Sequence, residues 1–188
     1  MKAVQLHAFG GPEVLHIGEV STPQAGPKEL LVRVQATAVN RADTLQRKGK
    51  YPAPPGESSI LGLEMAGEVA AVGQEVSRWK VGDQVCGLLG GGGHAEFAVI
   101  HEEMALPIPK GLDAVSAAAI PEVFLTAFQA LHWLANLQAG ERVLIHAGAS
   151  GVGTAAIQLA KEMKAAEVFV TASAPKHALC LKLGADRA

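Results

Sequence analysis

The stretch Arg142–Lys161, RVLIHAGASGVGTAAIQLAK, constrains the fold of this chain more than any other. An apolar run, RVLIHA, leads into a turn of small residues. A helical pattern follows, with apolar residues at the i, i+3, i+4 and i+7 spacing that packs one helix face on a sheet. A second apolar run, EVFVTAS, and a short helical segment, PKHALCLKLG, come next. This alternation predicts a parallel β-α-β-α unit.

The turn in this stretch has the composition of a loop that holds the phosphates of a nucleotide. The dinucleotide fingerprint is G-x-G-x-x-G; here Gly148 and Gly153 take the outer places and Ser150 replaces the middle glycine. Free backbone N–H groups at the start of the following helix would face the phosphates. We therefore predict a set of cofactor-binding residues in the turn: Gly148, Ser150, Gly151, Val152 and Gly153. An ordinary β-α turn with glycines for packing stays open as the alternative.

Ser150 also resembles the nucleophile of a hydrolase elbow. That motif needs a glycine two residues on either side of the serine. Gly148 satisfies the requirement on one side, but Val152 occupies the other place. The sequence therefore disfavours a hydrolase.

The end of the second predicted strand indicates which nucleotide is bound. An acidic residue about 20 positions past the turn would bind the ribose 2′-OH of NAD. The segment VTASAPKHALCLKLGA has no acidic residue, and it offers Ser173 and Lys176. A hydroxyl and a cation suit a 2′-phosphate, so we predict NADPH as the cofactor. The alternative for Lys176 is a solvated charge on a helix.

The residues before about Lys110 have a different pattern, made of short strands and turns. LLVRVQATAV and MAGEVAAVG alternate with period two, and Gly- and Pro-rich clusters separate such segments. This pattern predicts an irregular β-barrel. An alanine-rich run then predicts one or two helices, with Ser116 as a cap. We place the domain boundary near 112–120, which gives domains of residues 1–115 and 116–188.

Charge and cysteine content limit the partners. The chain has 16 basic and 18 acidic residues, a net charge of -2, and no basic run, which disfavours nucleic acid and anionic membranes. We find no apolar stretch approaching the roughly 18 residues of a membrane span. Two distant cysteines, Cys86 and Cys180, are typical of a reducing cytosol. We expect a cytoplasmic protein with no nucleic acid and no membrane as partner.

Several motifs follow one another in the order found in one enzyme family. They are GGPEVL, AVNRAD, LGLEMAGEVAAVG, WKVGDQV, GGGGHAEF, AAAIPEVFLTAFQAL and the glycine turn. With them the chain resembles the zinc-free medium-chain dehydrogenases/reductases, and most of all the zeta-crystallin-like quinone oxidoreductases, over essentially its whole length. The resemblance implies a β-rich GroES-like barrel followed by the first β-α-β-α part of a Rossmann α/β nucleotide-binding domain.

The resemblance also implies an activity. It is hydride transfer from NADPH to a quinone or an activated alkene, in which the protein mainly orients the reactants. Asn40, Asp43 and Tyr51 match positions that line the family's cleft, and Thr126 matches a residue near the nicotinamide. The alternatives are a proline-supported loop residue for Tyr51 and, for Thr126, a helix threonine bonded to a carbonyl. Glu64 fits a structural acid at a strand end equally well.

The same resemblance implies that no metal is bound. Zinc-dependent relatives carry a Cys and a His where this chain has Asn40 and Leu63, neither of which binds zinc. A non-enzymatic binding protein and an enoyl-thioester reductase of the same superfamily stay open as alternative functions.

The chain departs from the family in length. The family's nucleotide-binding domain has six parallel strands in the order 3-2-1-4-5-6, and the dinucleotide lies between strands one and four. The predicted β-α-β-α unit supplies only the first two strands. We therefore expect a fragment, a truncated product or a chain completed by another copy in a homo-oligomer. We do not expect the 188-residue chain alone to be a competent monomeric reductase.

Overall fold

In the computed structural model, which describes all 188 residues, the alternating segments form an antiparallel sheet. The two segments predicted as strands lie in β3 (Glu29–Thr37) and β4 (Glu64–Val72). With β5 (Gln84–Leu88), β6 (Phe97–His101) and β7 (Ala105–Pro107) they give the order β6-β3-β4-β5-β7. The apolar side chains of the sheet's buried face form a core: Leu30, Val32, Met65, Val69, Val85, Leu89, Ala98, Ile100 and Ala105.

The connection between the two edge strands shows that this sheet curls. β6 ends at His101 and β7 begins at Ala105, so three residues join opposite edges of the sheet. Their Cα atoms can lie at most roughly 14 Å apart. Edge strands of a flat five-stranded sheet would lie roughly 19 Å apart. The curl agrees with the predicted barrel.

Two further strands and a helix complete the first half of the chain. β1 (Lys2–Leu6) and β2 (Leu15–Glu19) pair antiparallel, and a bridge joins Ala3 to Ala95 just before β6. Helix α1 (Arg41–Arg47) follows β3 directly. Its position places the AVNRAD motif at the junction of the sheet and the helix.

The alanine-rich segment forms three short helical pieces. They are α2 (Ala114–Ala117), α3 (Pro121–Phe128) and a π-helical stretch, Gln129–Leu134. The prediction that Ser116 caps the first helix is wrong. Asp113 is the cap, because its carboxylate accepts the N–H of Ser116 at 2.8 Å.

The stretch Ala114–Leu134 also corrects an expectation about apolar length. Its 21 residues are long and apolar enough, by length and composition alone, to cross a membrane. The stretch holds a single acid, Glu122, and no lysine or arginine. The statement that no apolar stretch approaches 18 residues is therefore wrong. Core helices of water-soluble proteins have the same length and composition, so no membrane role follows.

Contacts divide the chain into two units, Met1–Glu122 and Val123–Ala188. In the second unit, β8 (Arg142–Ile145) and β9 (Glu167–Val170) pair in parallel. Helix α4 (Gly151–Glu162) connects them, and α5 (His177–Lys182) follows β9. The predicted β-α-β-α unit is confirmed. Its buried core includes Ala127, Leu131, Ile145, Ala156, Ile157, Ala160, Val168, Val170 and Cys180.

Candidate functional site

The glycine turn begins where β8 ends and is held by the end of β9. Ala147 has a φ of 53°, in the left-handed region, and there the chain turns towards helix α4. The N–H of Gly148 donates to the carbonyl oxygen of Thr171 at 2.9 Å. The N–H of Ala147 donates to the hydroxyl oxygen of the same threonine at 3.2 Å. Thr171 therefore fixes the turn through its backbone and its side chain together.

Two glycines of the turn leave no room for a side chain. A Cβ on Gly153 would collide with the carbonyl oxygen of Ala147. A Cβ on Gly148 would lie 2.7 Å from the Cβ of Val170. A Cβ on Gly151 would meet only the end of one side chain, at 3.1 Å. The two outer glycines of the fingerprint are therefore the ones that the close packing of helix, turn and strand requires.

Ser150 caps helix α4, since its hydroxyl oxygen accepts the N–H of Gly153 at 3.0 Å. The N–H groups of Gly151 and Val152, in the first turn of the helix, have no acceptor within the chain. Such groups, together with the positive end of the helix dipole, bind phosphate. The residues of this turn therefore fit the pyrophosphate of a dinucleotide.

Ser173 and Lys176 lie just beyond β9: Ser173 precedes a short 3-10 turn, Ala174–Lys176, and Lys176 is its last residue. Both are exposed, and Lys176 takes part in none of the three salt bridges of the chain. Thr126 lies in α3 and is exposed. Its hydroxyl makes no hydrogen bond to the helix backbone, so the alternative of a carbonyl-bonded helix threonine is not observed.

In the first unit, Asn40 and Asp43 come together at the start of α1. The buried carboxylate of Asp43 accepts the N–H of Asn40 at 2.7 Å through Oδ2. Its Oδ1 accepts the N–H of Gly62 at 3.0 Å. Because both oxygens bind backbone groups, Asp43 positions Asn40 and joins α1 to the segment before β4.

The side chain of Asn40 points to a second buried carboxylate. Its Nδ2 donates to Oε1 of Glu64 at 2.7 Å. Oε2 of Glu64 accepts the N–H of Glu122, in the first turn of α3, at 2.9 Å. Glu64 is 1% exposed and begins β4. It therefore holds the amide of Asn40 in one orientation, in agreement with its interpretation as a strand-end acid.

These two carboxylates change the ionisation of their neighbours. Burial, and then the charges of Glu64 and Asp43, raise the pKa of Glu122 above its usual range. Burial, and then the charge of Glu64, raise the pKa of the Cys86 thiol. The Cys86 thiol is therefore held in its unreactive protonated form. No three His, Cys, Asp or Glu side chains form a group that could hold a metal ion.

Tyr51 is separated from the other two predicted side chains of this unit. It lies beyond the C-terminal end of α1, is 44% exposed, and lines a cavity of about 540 Å³. Asp43, at the N-terminal end of α1, lines a different cavity of about 610 Å³. The structure thus brings Asn40 and Asp43 together and places Tyr51 at the other end of the helix.

Sequence analysis missed Gln46, which lines the same cavity as Tyr51 and is 6% exposed. A weak signal was present, because Gln46 follows Asp43 by three positions and so shares its helix face. A search for apolar periodicity does not detect a polar residue on that face.

Thr171 was also missed. It accepts hydrogen bonds from the turn only because β9 pairs with β8, and this pairing cannot be seen in the local sequence.

Known proteins share this architecture. The family model described as alcohol dehydrogenase GroES-like domain matches residues 26–110. A quinone oxidoreductase from Pseudomonas aeruginosa is 43% identical over 178 residues, which are 94% of this chain and 54% of that protein. The chain belongs to the medium-chain dehydrogenase/reductase superfamily. The GroES-like barrel followed by the beginning of a Rossmann domain is confirmed by this membership.

Solved structures of the superfamily match almost the whole chain. The CurK enoyl reductase superposes with a TM-score of 0.90 at 36% identity, covering 99% of this chain and 58% of that one. The mycobacterial protein Rv1454c, solved in complex with NADPH, superposes with a TM-score of 0.88 at 33% identity, covering 100% of this chain and 58% of that one. The chain therefore spans little more than half the length of these relatives.

Proposed function

We propose that this chain belongs to an NADPH-dependent oxidoreductase that transfers hydride to quinones or related electron-poor acceptors without a metal. The glycine turn carries the proposal, because Gly151 and Val152 present backbone N–H groups that have no acceptor within the chain. The similarity to a quinone oxidoreductase supports the choice of acceptor.

The preference for NADPH follows from the residues beyond β9. Ser173 and Lys176 are exposed at the carboxyl end of this strand, where dinucleotides place the adenosine ribose. The hydroxyl and the ammonium group would bind the 2′-phosphate. A bound NADPH would supply the hydride. Similarity to a protein solved with NADPH supports this cofactor.

In the first unit, the side chains act by orientation. Glu64 takes one N–H of the Asn40 amide, which leaves the second N–H for a small molecule. The exposed phenol of Tyr51 offers a hydrogen-bond donor to an acceptor oxygen. Holding the acceptor in one geometry supplies a large part of the rate in such reactions.

A second candidate is reduction of the activated alkene of an enoyl thioester. The fold similarity to the CurK enoyl reductase favours it. A panel of quinones and enoyl thioesters, assayed with NADPH, separates the two activities. NADPH binding by a homo-oligomer of the chain without turnover of either class would instead favour the non-enzymatic binding protein.

The nucleotide preference is tested by titrating NADPH and NADH against the chain and against Lys176→Glu. We expect NADPH to bind at least about tenfold more tightly, a difference of about 1.4 kcal/mol, and the substitution to remove most of that difference. Lys182→Glu, at an exposed lysine of α5, is the matched control. Equal affinities for the two nucleotides, or an equal effect of both substitutions, would contradict the proposal.

Assembly and location are part of the same proposal. Leu144 of β8 is 56% exposed, and a second copy of the chain would bury this apolar side chain in a homo-oligomer. Light scattering of the purified chain measures its oligomeric state. The cytoplasmic location stays a prediction from the sequence.

A further inference from the structure

Three carboxyl groups from three elements of the first unit lie near Asn40. They belong to Asp43 of α1, Glu64 of β4 and Glu122 in the first turn of α3. They do not converge on a common point that could hold a metal ion. Asp43 and Glu64 are 2% and 1% exposed, whereas Glu122 is only half-buried. Two of the three groups are therefore shut off from water, and water reaches the third.

The three carboxyl groups also differ in their hydrogen bonds. Both oxygens of Asp43 accept backbone N–H groups. Both oxygens of Glu64 are occupied as well, one by the amide of Asn40 and the other by the backbone N–H of Glu122. The carboxyl of Glu122 accepts no hydrogen bond within the chain and takes part in none of its three salt bridges. Because hydrogen bonds stabilise the charged form of a carboxyl group, Glu122 is the member of the three that takes up a proton.

The surroundings of Glu122 favour its protonated form. Burial, and then the charges of Glu64 and Asp43, raise its pKa, and no lysine or arginine is among the groups that act on it. The thiol of Cys86, on β5, is close enough to Glu64 for its pKa to be raised by that charge, and it stays neutral. Only the N-terminal end of α3 favours a negative charge at this place, and burial together with the two carboxylates outweighs it.

The backbone of α3 holds Glu122 beside Glu64. Pro121, the first residue of α3, is fully buried and has no N–H. The N–H of Glu122 is therefore the first donor of the helix, and it is bonded to Oε2 of Glu64 at 2.9 Å. The other oxygen, Oε1, accepts Nδ2 of Asn40 at 2.7 Å. One buried carboxylate thus connects the residue that takes up the proton to the amide of Asn40.

We propose that Glu122 is a positioning residue for Asn40: while Glu122 is protonated, Glu64 holds the Asn40 amide in one orientation, and ionisation of Glu122 releases it. A charge on Glu122 repels the carboxylate to which its own N–H is bonded. Glu64 is 1% exposed and cannot turn into water, so the repulsion acts on the two hydrogen bonds that it accepts. The inference rests on the proposed function only for the use made of Asn40, which is contact with the electron acceptor.

A pH titration of the full chain by NMR, without nucleotide or acceptor, tests the proposal. It follows the carboxyl carbon of Glu122 and the side-chain amide of Asn40 from about pH 4 to about pH 9, a range that begins near the ordinary glutamate pKa of about 4.3. We expect Glu122 to titrate above that ordinary value and the Asn40 amide to shift with the same midpoint. This comparison is made within the parent chain, so it does not depend on the folding of any variant.

Two variants separate the ionisation of Glu122 from that of other groups. Glu122→Gln removes no hydrogen bond, since the carboxyl makes none, and it stays neutral at every pH. We expect its Asn40 amide to keep, across the whole range, the position that the parent chain shows while Glu122 is protonated. Glu75→Gln, at an exposed glutamate of the same unit, is the matched control and should keep the full pH shift of Asn40.

Three results would overturn the proposal: an Asn40 amide that does not shift with pH, a shift whose midpoint differs from that of Glu122, or a shift that persists in Glu122→Gln. Because neither nucleotide nor acceptor is present, the outcome is separate from those of the nucleotide titration and the acceptor panel. Matching midpoints in a chain that does not bind NADPH would keep the positioning role of Glu122 and remove the proposed function. NADPH binding with an Asn40 amide that does not respond to pH would do the reverse.

Discussion

The two units build their candidate sites in opposite ways. In Met1–Glu122, buried carboxylates fix the polar groups, since Asp43 and Glu64 accept hydrogen bonds from backbone and side-chain donors. In Val123–Ala188, the turn requires glycine at two positions, because a side chain at Gly148 or Gly153 would collide with neighbouring atoms. The first unit should therefore be sensitive to the loss of an acceptor and the second to the gain of a methyl group.

The largest expected effect comes from adding a methyl group in the second unit. Gly153→Ala should lower the free energy of unfolding by about 3 kcal/mol, because the new Cβ collides with backbone that cannot move independently of the turn. Gly151→Ala, two residues earlier, is the control and should change it by less than about 1 kcal/mol. Urea denaturation measures both. Equal losses would mean that close packing at Gly153 does not set the turn.

A smaller effect is expected from removing an acceptor in the first unit. Glu64→Ala leaves the amide of Asn40 and the N–H of Glu122 without their partner, and should cost about 2 kcal/mol. Glu64→Gln keeps one acceptor oxygen, so it should cost less than half as much. Urea denaturation of the two variants gives both values. An equal loss of unfolding free energy in Glu64→Ala and Glu64→Gln would show that the lost hydrogen bonds are not the cause.

The smallest effect is a pH dependence of opposite sign at two carboxylates, Asp186 in the second unit and Glu122 in the first. The N–H of Val168, and then Lys161, lower the pKa of Asp186. Asp186 therefore contributes stability above its unfolded pKa of about 3.9, and this is lost as the pH falls through its folded pKa. The pKa of Glu122 is raised, so its contribution is present below about 4.3 and is lost as the pH rises through its folded pKa.

Two neutral variants measure these contributions. Asp186→Asn should flatten the loss of stability on the acid side, while Glu122→Gln should gain stability relative to the parent chain as the pH rises above about 4.3. Urea midpoints of the parent chain and of both variants, recorded from about pH 3 to pH 7, give the change of stability with pH for each protein. If the stability of a variant changed with pH in the same way as that of the parent chain, ionisation of the substituted carboxylate would not be the cause of the pH dependence.

Local patterns predicted the parts of this molecule that local forces build. The strand–turn–helix around Gly148 depends on neighbours a few residues away, whereas α1, which begins after Asn40, was not predicted. Glu64 is different, because its partners Asn40 and Glu122 lie 24 and 58 residues away in the chain. The burial of Gln46 was equally invisible, since a pattern of residue types does not show which polar side chain the fold buries without a hydrogen-bond partner in the chain.

The double attachment of Thr171 has a consequence for protein engineering. Its carbonyl and its hydroxyl tie the end of β9 to the turn at Gly148, so the segment proposed to select the nucleotide and the turn proposed to bind its phosphates share one fixed register. Ser173 lies only two positions further on. If the proposed roles hold, a redesign of nucleotide preference can exchange Ser173 and Lys176 without moving the turn, whereas an insertion or deletion between the turn and these residues would shift one relative to the other.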